Sequence, residues 1–301
     1  MKILFQSLIF ILLLGNTVYV FGQKANIEGS ADTTKIYKIE LMDGSVFVGN
    51  IMQRDSINII FKTTSIPKIE IPVGRITSIV AVDSSNFKHG DYWFPNPNAT
   101  RYLFAPSGFN LKEKEGYYQN TYLFLNSVNV GITNNFSIGG GLEFLSTFGS
   151  IAEGDFNPIF YITPKMGFEV DDKFQAGFGI LYAGTPGLSR SSRSSLGIAY
   201  GIGTYGTMDD NLTIGLGWGF VDGKFSERPT ITVAGMTRIS KNTALVTENW
   251  LIPTDNYYGI FSYGIRFFGE TIAVDLAFIN NADLMKVLVI GVPYVNFVVK
   301  F

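Results

Sequence analysis

The sequence contains no cysteine and a single histidine, His89, among its 301 residues. The absence of cysteine excludes disulfide bonds, thiolate metal sites and a cysteine nucleophile. One histidine likewise excludes a metal centre built from several histidines. Charged residues make up only 16% of the chain and the net charge is −2, so the charge balance does not favour nucleic acid as a partner. We expect no cofactor.

Long hydrophobic stretches with helical period are also lacking, whereas aromatic residues reach 15% and glycines number 33. This glycine content exceeds the average of roughly 7% for soluble domains. Apolar residues instead alternate with small or polar ones along most of the chain, which is the period of a β-strand. The composition therefore predicts an all-β protein with one large domain or two smaller ones.

The N-terminus has the three parts of a secretory signal peptide. Lys2 supplies the basic start, residues 3–15 are an apolar core, and Val20 and Gly22 occupy positions −3 and −1 of a cleavage site. We predict a signal peptide over 1–22. An uncleaved anchor helix is the alternative, although polar residues interrupt the apolar run. Either interpretation takes the chain out of the cytoplasm.

After the signal peptide, residues 33–83 have the rhythm of a small β domain. Turn-forming residues follow one another about every ten positions and separate short runs rich in isoleucine, valine and phenylalanine. We predict strands near 36–42, 45–53, 57–63, 66–72 and 75–82, forming a barrel-like domain. The stretch 84–100, SSNFKHGDYWFPNPNAT, is polar and rich in proline, and we interpret it as a linker in which His89 is a solvated side chain.

The stretches IELMDGSVFVGNI and IPVGRITSIV resemble the Sm-like and SH3-like small barrels, a resemblance that covers only residues 33–83. Barrels of that kind often bind RNA or peptides. The segment carries six basic and five acidic residues, and a nearly neutral surface outside the cytoplasm is a poor RNA binder. We therefore expect a periplasmic module that contacts a protein partner or acts as a spacer.

From residue 101 onward the alternation becomes regular and bulky. In NLTIGLGWGF the residues Leu212, Ile214, Leu216 and Trp218 share one face, and mainly glycines share the other. A soluble sandwich would bury the bulky face and place charged residues on the opposite one. Here the opposite faces are rich in glycine rather than charge, which favours a transmembrane barrel with lipid against the bulky face.

Short and long connections alternate along 101–301, as they do between the two ends of bacterial barrels. We predict twelve antiparallel strands, with ten as the alternative: 101–109, 117–132, 136–148, 158–169, 174–184, 193–207, 212–221, 228–238, 243–252, 257–268, 271–280 and 289–301. In this scheme 110–116 is the first outer loop. Pro106 weakens the first strand because proline cannot donate to a β-ladder.

The chain ends in YVNFVVKF, where alternate residues are apolar and the last is phenylalanine. This ending resembles the C-terminal signature of bacterial outer-membrane β-barrels, carried here by Phe297, Val299 and Phe301. The resemblance implies recognition by the barrel assembly machinery and insertion into outer-membrane lipid. The segments from RYLFAPSGF to SIGGG and GVPYVNFVVKF look like an uncharacterised barrel family of Bacteroidetes-type Gram-negative bacteria, over roughly 101–301. That family implies a location and not a reaction.

Seven charged residues fall on the predicted inward face, with Glu248 as a less certain eighth. They are Glu143, Lys165, Glu169, Arg238, Arg266, Asp275 and Lys300. Mixed charges in a bore narrowed by inward glycines favour a salt-bridged structural network. The alternative is a selectivity lining for a small polar solute.

An enzyme is not expected, because the only histidine precedes the barrel and cannot activate a serine within it. The acidic pairs Asp171-Asp172 and Asp209-Asp210 fall in short turns, where turn chemistry explains them. Two hypotheses remain. The favoured one is an outer-membrane scaffold or binding protein with a narrow or closed lumen, and the alternative is a narrow channel for a small polar solute.

Overall fold

The computed structural model describes residues 34–88, 91–152, 158–185 and 194–301. The predicted signal peptide and His89 lie outside these residues. The chain divides into two compact units between Trp93 and Phe94.

The N-terminal unit contains the five short strands that the turn spacing predicts. They are β1 (Ile36–Leu41), β2 (Val46–Arg54), β3 (Asn58–Lys62), β4 (Ile69–Pro72) and β5 (Ile76–Val82). They form one antiparallel sheet in the order β4-β3-β2-β1-β5. No pairing joins β4 to β5 in this fully described stretch, so the hydrogen-bonded ladder is open between them. The core is formed by Ile39, Ile51, Ile59, Phe61 and Ile71. Beyond it, two short strands, β6 (Phe87–Lys88) and β7 (Asp91–Tyr92), pair with each other.

The described part of the second unit contains strands, most of them longer, one short α-helix and a 3-10 turn at Leu284–Lys286. The elements are β8 (Gly116–Thr121), β9 (Leu125–Gly131), β10 (Phe136–Glu143), α1 (Phe144–Ala152), β11 (Ile159–Ile162), β12 (Lys165–Glu169), β13 (Phe174–Gly184), β14 (Ser195–Gly206), β15 (Asp210–Val221), β16 (Lys224–Phe225), β17 (Thr230–Ser240), β18 (Thr243–Pro253), β19 (Tyr257–Phe268), β20 (Ile272–Asn280) and β21 (Val292–Lys300). Strand β16 pairs only with the end of β15, as a small hairpin.

These strands close into an antiparallel barrel of twelve positions. β11 and β12 together fill one position, because both pair with β10 on one side and β13 on the other. Sequential pairing runs from β10 to β21, and the ring closes through β21 to β8, β8 to β9 and β9 to β10. The prediction of a twelve-stranded antiparallel barrel is therefore confirmed.

The assignment of the first strands is wrong, although their number is right. Residues 101–109 form only an isolated bridge between Arg101 and Pro106, so they are not a strand. The missing strand comes from 117–132, which is two strands joined by a tight turn at 122–124. Tyr122 and Leu123 adopt left-handed φ angles of 54° and 68° in that turn. Bulky residues rarely adopt this conformation, so the sequence carries no ordinary turn signal there.

The connections fall on two ends of the barrel, as the alternation predicts. The turn rim carries the short turns 132–135, 170–173, 207–209, 241–242 and 269–271. Among the described residues, the loop rim carries 122–124, 144–152, 222–229, 254–256 and 281–291. Residues 110–116 were predicted as an outer loop, but they lie at the turn rim. There the Glu113 N–H donates to the Asn134 side chain, and Gly116 pairs with Phe301.

The outer surface of the barrel is apolar. Along β15 the outward side chains Leu212, Ile214 and Trp218 are 50%, 56% and 41% exposed, while Thr213 between them is fully buried. On β21, Val295 and Phe297 point outward and Asn296 inward. Bulky apolar side chains facing out and polar or small ones facing in are the pattern of a barrel in lipid. No helix in the described part of the chain is long and apolar enough to span a membrane.

Candidate functional site

A segment without regular structure, residues 94–111, enters the barrel from the turn rim, folds back and leaves again; we call it the plug. Most of its side chains are buried: Phe94, Asn96, Asn98, Ala99, Tyr102, Leu103, Ala105, Ser107, Phe109 and Leu111. Its two limbs are held together by hydrogen bonds from the Ser107 N–H to the Thr100 carbonyl (3.0 Å) and from the Tyr102 N–H to the Ala105 carbonyl (2.9 Å). Part of the predicted linker 84–100 therefore lies inside the barrel.

The first fastening of the plug is a buried ion pair on neighbouring strands. Arg266 on β19 is paired in register with Asp275 on β20, and its guanidinium meets the carboxylate at 2.6 Å (Nε–Oδ1) and 3.1 Å (Nη2–Oδ2). The same guanidinium donates to the plug carbonyls of Asn98 and Tyr102, each at 2.7 Å. A buried ion pair is stable only when its remaining hydrogen-bonding groups are satisfied. Here the plug backbone satisfies them.

The second fastening is the carboxylate of Glu248 on β18, which is only 2% exposed. Its Oε2 accepts hydrogen bonds from three consecutive plug N–H groups, those of Leu103 (3.0 Å), Phe104 (2.9 Å) and Ala105 (2.8 Å). Its Oε1 accepts one from the Trp250 indole at 2.8 Å. Consecutive N–H groups that converge on one anion form a nest, and hydrogen bonds to a charged group are stronger than neutral ones. The tip of the plug is therefore bound by a single carboxylate.

Two further cations hold the ends of the plug. The Arg238 guanidinium donates to the Phe94 carbonyl at 2.9 Å and meets the Asp209 carboxylate at 2.9 Å. At the other end the Lys165 ammonium donates to the Phe109 carbonyl. The backbone carbonyls at the two ends of the plug are thus each bound by a cationic side chain from the barrel wall.

The residues predicted to line the lumen separate into three groups. The first group contacts the plug directly or pairs with a residue that contacts it: Lys165, Arg238, Arg266, Asp275 and the less certain Glu248. Lys300 lies at the turn rim, where its ammonium is 3.1 Å from the Glu115 carboxylate and both side chains are partly exposed. Glu169 ends β12 and is exposed at the turn rim, so it does not join the network.

Glu143, the last residue of β10, lies on the inward face but serves the helix that follows. Its carboxylate accepts hydrogen bonds from the N–H groups of Leu145 (2.6 Å) and Ser146 (2.8 Å). These are N–H groups of the first helical turn of α1, which have no partner within the helix. The negative charge of Glu143 is therefore engaged in capping α1.

Beside the plug, the described residues enclose a space of about 390 Å³, which we call the loop-rim cavity. It occupies the half of the lumen lined by β8 to β14 and extends to Glu143 and Leu196 near the loop rim. Towards the turn rim it ends at the plug: Lys165 binds the Phe109 carbonyl, and the Ser137 hydroxyl donates to the Asn110 side chain at 2.9 Å. The plug therefore fills one half of the lumen and bounds the cavity in the other.

Reasoning from sequence missed the plug residues themselves. Their signal was weak but present: large apolar residues such as Phe94, Tyr102 and Leu103 stand in a stretch interpreted as a solvated linker and a weak strand. Large apolar side chains of this kind are unusual in a solvated linker. In the described part of the chain no group of three or more histidine, aspartate or glutamate residues could hold a metal ion.

A closed antiparallel barrel with an apolar outside and a polar, plugged inside defines an outer-membrane type of β-barrel. No protein-family profile matches the chain, and no curated protein sequence matches it. Similar solved structures include the KdgM porin in complex with disordered oligogalacturonate (9% identity, TM-score 0.42, 62% of this chain and 95% of that chain). A second KdgM porin structure has 9% identity, TM-score 0.43 and coverages of 62% and 96%. The outer membrane phospholipase A from Escherichia coli has 8% identity, TM-score 0.33 and coverages of 63% and 91%.

Proposed function

We propose that the protein is an outer-membrane β-barrel whose lumen is closed by the plug and which acts as a membrane-anchored scaffold or binding protein. The observation that carries this proposal is the double fastening of the plug by the Arg266–Asp275 pair and by Glu248. All three side chains lie on the barrel wall and are at most 2% exposed, and the partners of Arg266 and Glu248 include plug backbone groups.

The energetics of these contacts support a lumen that is closed at rest. Each hydrogen bond to a charged group contributes about 1.5–3 kcal/mol. Glu248 accepts three from the plug, and Arg266 donates three, to the carbonyls of Asn98 and Tyr102 at 2.7 Å and of Arg101 at 3.1 Å. Withdrawing the plug therefore removes six such bonds together. Water that enters the lumen replaces part of that energy. A spontaneous opening is therefore a rare event.

The same proposal includes the location of the chain and its partners. Export by the predicted signal peptide would place residues 33–83 in the periplasm, where we propose that they contact a protein partner. Phe297 and Phe301 are exposed on the outer face of the last strand and Val299 is half-buried there. We propose that these three residues are read by the assembly machinery before the barrel enters outer-membrane lipid.

We propose further that the protein is not an enzyme. The acidic pairs in the turns serve local structure: the Asp171 carboxylate accepts the N–H groups of Lys173 and Phe174, each at 2.8 Å. In the second pair, Asp209 binds Arg238, and Asp210 accepts the Thr237 hydroxyl at 2.6 Å. Carboxylates occupied in this way are not positioned to activate water on a bound substrate.

A narrow channel for a small polar solute is the second candidate, and one observation favours it. Both ends of the plug attach near the turn rim, so the plug can leave the lumen without threading through the barrel. The wall beside it is polar, with buried side chains such as Gln119, Thr121 and Asn296. A displaced plug would leave a hydrophilic path.

Single-channel recording of the full mature chain in a planar bilayer separates the two candidates. The closed-lumen proposal expects no unitary steps from the wild type, with folding verified by a heat-sensitive gel shift. It expects steps from Glu248→Ala, which releases the plug tip. Stable steps from the wild type, with an ion preference that changes in Lys165→Glu, would instead establish the channel. Glu113→Ala, an exposed carboxylate at the turn rim, is the matched control and should behave as the wild type.

A further inference from the structure

The loop-rim cavity contains a cation, Arg101, that forms no salt bridge with a described carboxylate, although the buried charge of Glu248 attracts it. Arg101 lines the cavity, and its guanidinium donates to the Gln119 side-chain oxygen and to the carbonyls of Leu103 (3.2 Å) and Phe104 (3.4 Å). All three acceptors are neutral. The Nε atom of Arg101 is buried and has no hydrogen-bond partner. A buried charge is ordinarily paired in direct contact, and the Glu248 carboxylate that attracts Arg101 is itself bound by three plug N–H groups.

A second cation borders the same space. Lys165 lines the cavity and is 7% exposed, and its ammonium binds only the Phe109 carbonyl among the described residues. The carboxylate that the described residues contribute to the cavity wall is that of Glu143, and it is already engaged in capping α1. The described wall of the cavity therefore carries two cations and no carboxylate that is free to pair with them.

The rest of the wall suits the body of a small molecule. Three tyrosines, Tyr117, Tyr161 and Tyr200, line the cavity together with short polar side chains. A tyrosine offers a flat apolar face for a ring and a hydroxyl for a hydrogen bond. The volume of about 390 Å³ lies in the range of ligand pockets, roughly 300–1,000 Å³. One ring-sized molecule with a charged head group fits this space.

We propose that the loop-rim cavity binds a small organic anion with a carboxylate or phosphate head group on a ring-sized body. The head group lies against the Arg101 guanidinium, and Lys165 adds a second positive charge. The ring packs between Tyr117, Tyr161 and Tyr200. Because Arg101 belongs to the plug, this inference rests on the proposed function: the plug must be in place for the site to exist.

Isothermal titration calorimetry on the full mature chain, refolded in detergent, tests the inference. The probes are benzoate, phenyl phosphate and glucuronate, with benzamide and glucose as uncharged counterparts. We expect at least one anion to bind at least tenfold more tightly than its uncharged counterpart, and added salt to weaken that binding. Arg101→Gln should lower the affinity at least tenfold, and Arg101→Lys should lower it less because the positive charge is kept.

Two further variants test whether binding depends on the space in the cavity and on a positive charge at Arg101 rather than elsewhere. Ala183 lines the cavity, so Ala183→Phe should fill part of it and abolish binding while Arg101 is unchanged. Arg228→Gln removes the same charge from an exposed loop-rim arginine whose guanidinium donates to the Thr254 and Asp255 carbonyls, and it should bind as the wild type does. A heat-sensitive gel shift establishes folding for each variant.

The inference is overturned if no anion binds, if the uncharged molecules bind equally well, or if Arg101→Gln binds as the wild type does. Its failure differs from failure of the proposed function. If the wild type is silent in the bilayer and binds no anion, the closed lumen is supported and the anion site is refuted. If the wild type conducts, the proposal of a closed lumen is itself refuted.

Discussion

Arg266 and Asp275 face each other across β19 and β20 with Nε and Oδ1 2.6 Å apart, and their side chains are 0% and 1% exposed. Such a pair needs every remaining hydrogen-bonding group satisfied, because both charges have left water. Asn296 donates to Asp275 Oδ2 at 2.8 Å, and the plug accepts from Arg266. The ion pair thus connects three strands of the wall, β19, β20 and β21, to the plug.

Removing one charge of this ion pair should strongly destabilise the protein. Asp275→Asn leaves the Arg266 guanidinium buried without an anion, and breaking a buried pair in this way costs about 3–5 kcal/mol. The measurement is urea unfolding of the protein in lipid vesicles, followed by tryptophan fluorescence. Asp283→Asn is the control, because Asp283 and Lys286 form an exposed pair at 2.8 Å on the loop rim. Equal stability of both variants and the wild type would contradict this role for the ion pair.

The plug tip should become mobile when Glu248 loses its charge. The chain has no cysteine, so Ser107→Cys introduces one unique thiol at a position that is 0% exposed. In the otherwise unchanged protein this thiol should react slowly with a maleimide. Adding Glu248→Gln weakens three charge-assisted hydrogen bonds, and we expect labelling to become at least tenfold faster. The same low rate in both backgrounds would mean that Glu248 does not hold the plug.

Gly131 should be required where the plug leaves the barrel. A Cβ atom at this position would lie 2.0 Å from the Lys112 carbonyl oxygen, so backbone would have to move. Gly131→Ala should therefore lower the free energy of unfolding by about 1–3 kcal/mol, as overpacking does. Gly201→Ala is the matched control, because a Cβ there meets no atom within 4 Å. The two variants are compared by urea unfolding, and equal stability would contradict a close crossing at Gly131.

The Glu115–Lys300 pair at the turn rim should make a small contribution that depends on pH. Burial raises the pKa of the Glu115 carboxyl, but the Lys112 N–H and the Lys300 charge outweigh it, so the pKa lies below the usual 4.5. A carboxyl whose pKa is lower in the folded than in the unfolded state stabilises the protein at pH values above the unfolded-state pKa. That stabilisation is lost as the pH falls through the folded-state pKa. The pair is partly exposed, so we expect less than about 1 kcal/mol at pH 7.

Comparison of the wild type with Glu115→Gln measures that contribution. The difference in the free energy of unfolding should be present at pH 7 and shrink as the pH falls below about 4.5, the usual glutamate value. A difference that stays constant or grows on acidification would show that the carboxylate is not stabilised by Lys300 and the Lys112 N–H.

The architecture of the barrel was accessible from sequence because lipid and lumen impose opposite requirements on alternate residues. The face of Leu212, Ile214 and Trp218 could be assigned outward without any contact information. Alternation also placed Arg266 and Asp275 inside. It could not show what they bind, because the plug has no period of its own and its contacts are with residues far away in the chain.

The turn at Tyr122 and Leu123 was hidden for a different physical reason. Its residues are bulky and apolar, and they continue the composition of the strands on both sides. The turn is favoured by its surroundings instead: the Tyr122 N–H donates to the Val295 carbonyl at 3.1 Å, and the Leu123 N–H donates to the Asn120 side chain at 3.1 Å. Local sequence therefore suggested one long strand, and the tertiary contact decided in favour of two.

The place of the plug in the chain has a consequence for how the protein is assembled. The plug precedes every barrel strand, yet its partners Glu248, Arg266 and Tyr294 lie about 140 to 190 residues further on. Contacts between such distant residues form late, since the cost of closing a long loop comes before their energy. Tyr294 belongs to β21, the strand that seals the ring against β8. The strand that closes the ring therefore also supplies a side chain that holds the plug, so closure of the ring and binding of the plug are coupled.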